Sequence, residues 1–349
     1  MSLLTPSSPH FHAPNSVTRI MLLVLLALVP GILVHSWFFG AGIYVNILLA
    51  CLLALGFEAL MLLLRKRPLA PFLSDGSAIV TACLLALSIP PIAPWWITLL
   101  GIFFAIVVAK HLYGGLGHNP FNPAMIGYAI LLVSFPREMT AWAASAELRE
   151  ASLGLTESFG IIFGSLASNL DIDGITGATP LDYMKTQLSQ NHNVHDILLG
   201  SPVFGELAGK GFEWVSLAFL AGGLFLIHKK VINWHIPAAV LISLAVCSGV
   251  FYLFNPEHYA SPLFHLFAGA TMLCAFFIAT DPVSASTTPR GRIYYGIGIG
   301  VLIFVIRTWG GYPDAVAFAV LLMNLAAPTI DHYTRPRVFG HTDREDDDE

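Results

Sequence analysis

Gly42-Ile-Tyr-Val-Asn-Ile-Leu-Leu-Ala-Cys-Leu-Leu-Ala-Leu-Gly-Phe-Glu58-Ala-Leu-Met-Leu-Leu-Leu64 carries one formal charge, Glu58, and stops at Arg65-Lys66-Arg67. A helix rises about 1.5 Å per residue and the hydrocarbon core of a bilayer is about 30 Å thick, so about 20 apolar residues cross it. The stretch therefore reads as a membrane span, and the basic trio marks the end that stays on the cytoplasmic side. The rest of the chain agrees. Of 349 residues, 56% are hydrophobic and 11% are charged, with a mean hydropathy of +0.71. A water-facing surface needs about 25% charged residues. A soluble globule, a disordered chain and a disulfide-stapled scaffold are thereby excluded. The four cysteines (Cys51, Cys83, Cys247 and Cys274) stand singly in apolar runs without metal-ligand spacing and read as small apolar packing residues.

Ten spans are expected, at 19–38, 42–64, 77–93, 95–113, 123–136, 213–228, 235–254, 262–280, 293–308 and 313–329. The third, fifth, ninth and tenth are short or rich in Gly and Pro, the form of half-helices lining a protein-enclosed site. Met1 to Ser16 is polar and proline-dotted, unlike a cleavable signal. With the N-terminus in the cytoplasm, 12 of the 17 Lys and Arg fall inside, and four of the remaining five lie in one long polar segment, whose translocation is insensitive to charge. The fold class expected is an all-α polytopic membrane protein with both termini cytoplasmic. It comprises a first membrane repeat, 1–136, an outer segment, 137–212, a second repeat, 213–330, and an acidic cytoplasmic tail, 331–349.

The two halves resemble each other. Pro123-Ala-Met-Ile-Gly-Tyr-Ala-Ile-Leu-Leu132 aligns with Pro313-Asp-Ala-Val-Ala-Phe-Ala-Val-Leu-Leu322, and each follows a basic residue and a Gly-Gly pair: Lys110 with Gly114-Gly115, Arg307 with Gly310-Gly311. Gly76-Ser-Ala-Ile-Val-Thr-Ala and Gly269-Ala-Thr-Met-Leu-Cys-Ala precede these by 47 and 44 residues. Five spans per repeat is an odd number, so the copies must be inverted, an arrangement that encloses a midplane site for an ion, solute or cofactor.

Within the outer segment, Asp171-Ile-Asp173-Gly-Ile-Thr176-Gly177-Ala178-Thr179-Pro180-Leu-Asp182 presents two threonine hydroxyls among small residues and carboxylates. On the residues alone it is either an Asx or helix-capping turn or an open hydroxyl to which an external enzyme could attach a group.

Asp173 to Thr179 matches Asp-x-x-Ser/Thr-Gly-Ala-Thr, the flavinylation motif of the D subunit of the Rnf complex and of the homologous B subunit of the sodium-pumping NADH:quinone reductase. Gly56-Phe57-Glu58, Ser74-Asp75-Gly76, Gly114-Gly115-Leu-Gly-His-Asn119-Pro-Phe-Asn122-Pro123-Ala124 and Thr280-Asp281-Pro282-Val283-Ser284 resemble that family in the same order. The resemblance implies FMN held covalently by a phosphoester on Thr179, with Asp173, Thr176, Gly177 and Ala178 as the recognition sequence. It also implies a second, noncovalent flavin (riboflavin) near a cytoplasmic cluster containing Asn119, Asn122 and Asp281. The short polar stretch before the first span resembles the Rnf branch rather than the quinone-reductase branch. The implied role is to move electrons between ferredoxin and NAD, coupled to Na⁺ or H⁺ transport, in the bacterial inner membrane. The implied partners are the A, B, C, E and G subunits and a periplasmic FMN transferase.

Intramembrane ionisable residues are costly and usually functional. Glu58 is an ion-pathway carboxylate or the structural partner of a polar group on another helix, and Asp75 and Lys110 join it as ion-pathway candidates. Helix capping accounts for Asp75 and Asp281 as well. The loop histidines His192 and His195 carry only weak metal-ligand spacing, so no metal is assigned. The chain has no nucleotide-binding motif, no cysteine set for an iron–sulfur cluster and no basic nucleic-acid patch. It is thus expected to hold no ferredoxin or NAD site of its own and to bind membrane lipid and partner subunits rather than nucleic acid. A solute transporter or channel is the rival reading, since inverted repeats serve both.

Overall fold

The computed structural model describes residues 17–149, 152–164 and 172–335. In the first half, α1 (Val17–Phe39) and α2 (Gly42–Leu64) are long apolar helices. A short α3 (Leu69–Leu73) is broken from α4 (Ser77–Ser88) at Gly76, whose φ of +80° favours a residue without Cβ. Then come α5 (Trp95–Ile102), continued by a π-helical stretch Phe103–His111, and α6 (Pro123–Ser134).

The connecting segment holds α7 (Pro136–Thr140), α8 (Leu155–Phe163), α9 (Ile172–Ile175), α10 (Pro180–Ser189) and α11 (Val194–Gly200). A two-residue ribbon joins β1 (Trp142–Ala143) to β2 (Thr176–Gly177), antiparallel, with Ala143 opposite Thr176. The second half repeats the first: α12 (Phe212–His228), α13 (His235–Phe254), α14 (Pro262–Phe267) broken at Gly269 (φ +64°) from α15 (Thr271–Leu273) with its π-helical continuation Cys274–Ile278, α16 (Pro289–Trp309) and α17 (Val316–Thr334).

Four of these helices start alike, on a polar residue followed by proline. Asn122, Thr179, Ser261 and Thr288 each accept a backbone N–H three residues on, at 3.3, 3.2, 3.2 and 2.9 Å, while proline fills the first helical position, where no N–H is needed.

Among the described residues, six helices are long and apolar enough to cross a membrane and three shorter apolar ones accompany them; the broken α14–α15 completes the ten spans. Two expectations on span form are corrected. The ninth and tenth spans, expected as short or Gly- and Pro-rich half-helices, are continuous helices of 21 and 19 residues. The eighth, expected to be continuous, is the broken one, because the Gly269 turn is the counterpart of the Gly76 turn in the third. α17 runs on to Thr334.

Counterpart helices of the two halves pack together across the pseudo-symmetry axis, α1 against α12 and α6 against α17. Small residues allow the approach: a Cβ on Gly222 would lie 2.1 Å from the Ala27 carbonyl oxygen, and one on Gly31 would lie 2.2 Å from the Phe219 ring. Leu22, Leu26, Val29 and Leu33 form an exposed apolar stripe along α1, and Ile242, Val246, Val250 and Leu253 another along α13.

The connecting segment sits on one face of the bundle. It bonds the α1–α2 junction (Ala146 N–H to Phe38 O, 2.7 Å; Ala41 N–H to Leu153 O, 3.0 Å) and the α13–α14 loop (Val194 N–H to Glu257 O, 2.8 Å). It also bonds the α16–α17 turn, where Lys185 donates to Tyr312 O at 2.9 Å. These are the connections that alternation of ten spans assigns to the segment's side. The second half therefore starts from the opposite side of the membrane to the first and is inverted relative to it.

Candidate functional site

Glu58 is 2% exposed inside the bundle, too deep to remain an unpaired carboxylate. Lys110, at the end of the π-helical continuation of α5, brings its Nζ to both Glu58 oxygens at 3.0 and 2.9 Å and to Ser77 Oγ at 2.9 Å. The Ser77 hydroxyl in turn donates to Asp75 Oδ1 at 2.7 Å, and the Ser77 backbone N–H reaches the same oxygen at 2.7 Å. His111 Nε2 stands 3.2 Å from Glu58 Oε2. The three ion-pathway candidates Glu58, Lys110 and Asp75 are thus one chain of contacts. Asp75 caps the start of α4 as well.

The second half holds a counterpart at the segment face. Arg307 donates to the carbonyls of His265 (2.7 Å) and Ala268 (3.2 Å) and to Asp314 Oδ1 (3.2 Å), and Asp314 Oδ2 accepts the Ala270 N–H (3.2 Å). In each half, the basic residue after the fourth span ties down the glycine break in the third. The carboxylate comes from the second span in one half and from the turn before the fifth in the other.

Cavities open on both faces. The cavity away from the segment has about 940 Å³ of empty space, mouth included, and is lined by Lys110, Asn119, Asn122 and Asp281. Asn119 donates to Phe121 O at 3.0 Å, yet its buried Oδ1 has no hydrogen-bond partner. Asn122 caps α6, donates to Ile278 O (3.2 Å) and, through its backbone N–H, to Asn324 Oδ1 (3.0 Å). Asn324 continues to Tyr295 Oη (2.7 Å) and the Ser284 carbonyl (3.1 Å), while Asp281 accepts the Ser284 hydroxyl at 2.7 Å. Asn324, held by Tyr295, links the halves, but neither is singled out by the sequence, where a lone Asn in α17 is the available signal.

The cavity on the segment face has about 1090 Å³ of empty space, mouth included, and reaches from Thr179 and Asp182 inward to His35, Tyr128 and Phe219. Thr179 is half-buried at the start of α10, its Oγ1 accepting the Asp182 N–H. Thr176 and Gly177 form β2, and Ala178 is exposed between the ribbon and the helix. Asp173 belongs by its backbone to α9, and its side chain lies outside the described residues. Burial pushes the Asp182 carboxyl up, opposed by the neighbouring Lys185 ammonium, and the same burial lowers Lys185.

His192 and His195 are exposed, and among the described residues no three His, Cys, Asp or Glu gather as metal ligands. Cys51 and Cys83 are free thiols that pack against each other with sulfurs 4.0 Å apart.

Ten spans in two inverted halves, a buried ion-pair chain and a cavity at each face define a polytopic membrane protein of the inverted-repeat class. Within that class the chain belongs to the NQR2, RnfD, RnfE family, which matches residues 4–340. Similar proteins, each named as the D subunit of an ion-translocating oxidoreductase complex, occur in Aliivibrio salmonicida (51% identical, 98% of this chain and 99% of that protein) and Klebsiella pneumoniae (55%; 96% and 98%). Another occurs in Escherichia coli strain SE11 (54%; 96% and 97%).

Proposed function

We propose that the chain is the flavin-carrying D subunit of an ion-translocating oxidoreductase complex in the bacterial inner membrane, passing electrons between ferredoxin and NAD on behalf of its partners, the A, B, C, E and G subunits. The N- and C-termini are cytoplasmic and residues 137–212 periplasmic. The observation that carries the reading is the position of Thr179. Its hydroxyl stands at the mouth of the segment-face cavity, at the N-terminus of a ten-residue helix, inside the Asp173 to Thr179 motif.

The residues suit the group. A phosphoester on Thr179 places its negative charge where the first N–H groups of α10 point, which favours an anion. Trp142, Tyr128, Phe212 and Phe219 offer an apolar, aromatic wall for a planar ring. Bound flavin supplies one- and two-electron chemistry, while the protein tethers it, orients it and excludes water. The opposite cavity, with the unpartnered Asn119 Oδ1 beside Asn122 and Asp281, accommodates a second, noncovalent flavin such as riboflavin. The Glu58–Lys110–Ser77–Asp75 chain beside that cavity is the element through which ion passage would respond to the flavin's redox state. Attachment of FMN to Thr179 falls to a separate periplasmic transferase.

The test follows the one hydroxyl. In cells that also make the transferase, the denatured band of this protein should fluoresce yellow-green under ultraviolet light. Thr179→Val keeps the β-branched shape without the oxygen and should abolish the signal, whereas Thr176→Ser should keep it. A dark parent band, or a fluorescent Thr179→Val, would put the solute-transporter reading ahead.

A further inference from the structure

His35 lies in α1 four residues before the helix ends at Phe39, is 4% exposed, and lines the segment-face cavity. Both its ring nitrogens are buried and neither has a hydrogen-bond partner. A neutral imidazole carries one donor and one acceptor, and leaving both unmet inside an apolar bundle is a cost that calls for a partner. Its neighbour is the Phe39 ring, with centroids 5.0 Å apart and planes tilted by 44°, which offers no polar atom.

Apart from that of Tyr128, the hydroxyls of the same wall are occupied. Ser88 donates to Leu84 O, Ser216 to Phe267 O and Thr140 to Pro136 O, at 2.8, 2.9 and 2.9 Å. Asp314, also in the wall, is engaged by Arg307 and by the Ala270 N–H. Thr179 stands at the mouth of the cavity, and His35 offers it an uncommitted donor and acceptor.

We infer that His35 is a binding residue for the flavin ring, donating a hydrogen bond to a heteroatom of the isoalloxazine system of a flavin tethered at Thr179. The inference rests on the flavin reading given above and adds the residue that senses the ring. The conjugated ring edge that gains electron density on reduction is the edge that accepts hydrogen bonds. A donor held there stabilises the reduced form and raises the midpoint potential.

The experiment uses the assembled complex, made with the transferase, and follows the redox component that Thr179→Val removes. His35→Phe keeps the aromatic contact with Phe39 and deletes both nitrogens; His35→Gln restores a donor and an acceptor. Expected is an undiminished covalent fluorescent band in both variants, a downward shift of the Thr179-dependent midpoint in His35→Phe, and a smaller shift in His35→Gln. A labelled His35→Phe protein with the parental midpoint overturns the inference and leaves the tether intact. An unlabelled parent removes the tether reading itself, so the two failures are distinct. Should His35→Phe fail to assemble, His35→Leu takes its place, and a parental midpoint there is equally decisive.

Discussion

Glu58 and Lys110 meet from α2 and the continuation of α5 across 52 residues of chain, both within the bundle, and neither has water to fall back on. Replacing a buried pair by matched apolar groups is often neutral, whereas removing one partner strands the other at about 3–5 kcal/mol. Glu58→Gln and Lys110→Met should therefore each lower thermal stability in detergent by roughly that amount, and the double variant by clearly less than their sum. Additive losses would show that the pair is not coupled. The presence of Glu58 in an apolar span is plain from the sequence; its partner is not, because many polar residues lie near span ends and only packing selects Lys110. His35 is hidden for a related reason: one histidine in a hydrophobic stretch does not reveal whether its nitrogens are met.

At the scale of elements, the contact between α1 and α12 depends on the absence of two side-chain carbons. Gly222→Ala would push a methyl against the Ala27 carbonyl oxygen, part of a helix backbone that cannot rotate away, and overpacking of this kind costs typically 1–3 kcal/mol or more. Gly56, in α2, has nothing within 4 Å of the corresponding position, so Gly56→Ala should be neutral or gain up to about 1 kcal/mol of helix propensity. Unfolding midpoints of the two variants test this; equal gains at both would mean that helix propensity rather than interhelical contact dominates. The helix starts at Asn122-Pro123, Thr179-Pro180, Ser261-Pro262 and Thr288-Pro289 follow from local chemistry and were legible. The break in the eighth span was legible only through its likeness to the third, since Gly269 lies within an otherwise apolar run.

The whole molecule is two five-span halves of opposite orientation with a cavity at each face. In a protein whose four native cysteines are replaced by serine, a cysteine at the exposed Thr156 should react with a membrane-impermeant reagent from outside intact cells. One at the exposed Arg290 should react only after the inner face is opened. Reaction of both from one side would overturn the ten-span alternation, and exchanged sides would overturn the orientation.

The sequence by itself determined the membrane character, the number of spans, the duplication of the chain and the Asp173 to Thr179 motif. Each of these is written in local composition or in a repeat that can be read along one dimension. Only the tertiary structure decided which carboxylate answers which cation: Glu58 from the second span answers Lys110, and Asp314 from a turn answers Arg307, although the two bases occupy equivalent places in the repeats. It also brought His35 of α1 and Thr179 of the connecting segment into one cavity, and Asn122 of one half onto Asn324 of the other. The physical reason is that a buried polar group must find its partner in three dimensions, and desolvation makes that partner obligatory without specifying where in the chain it comes from.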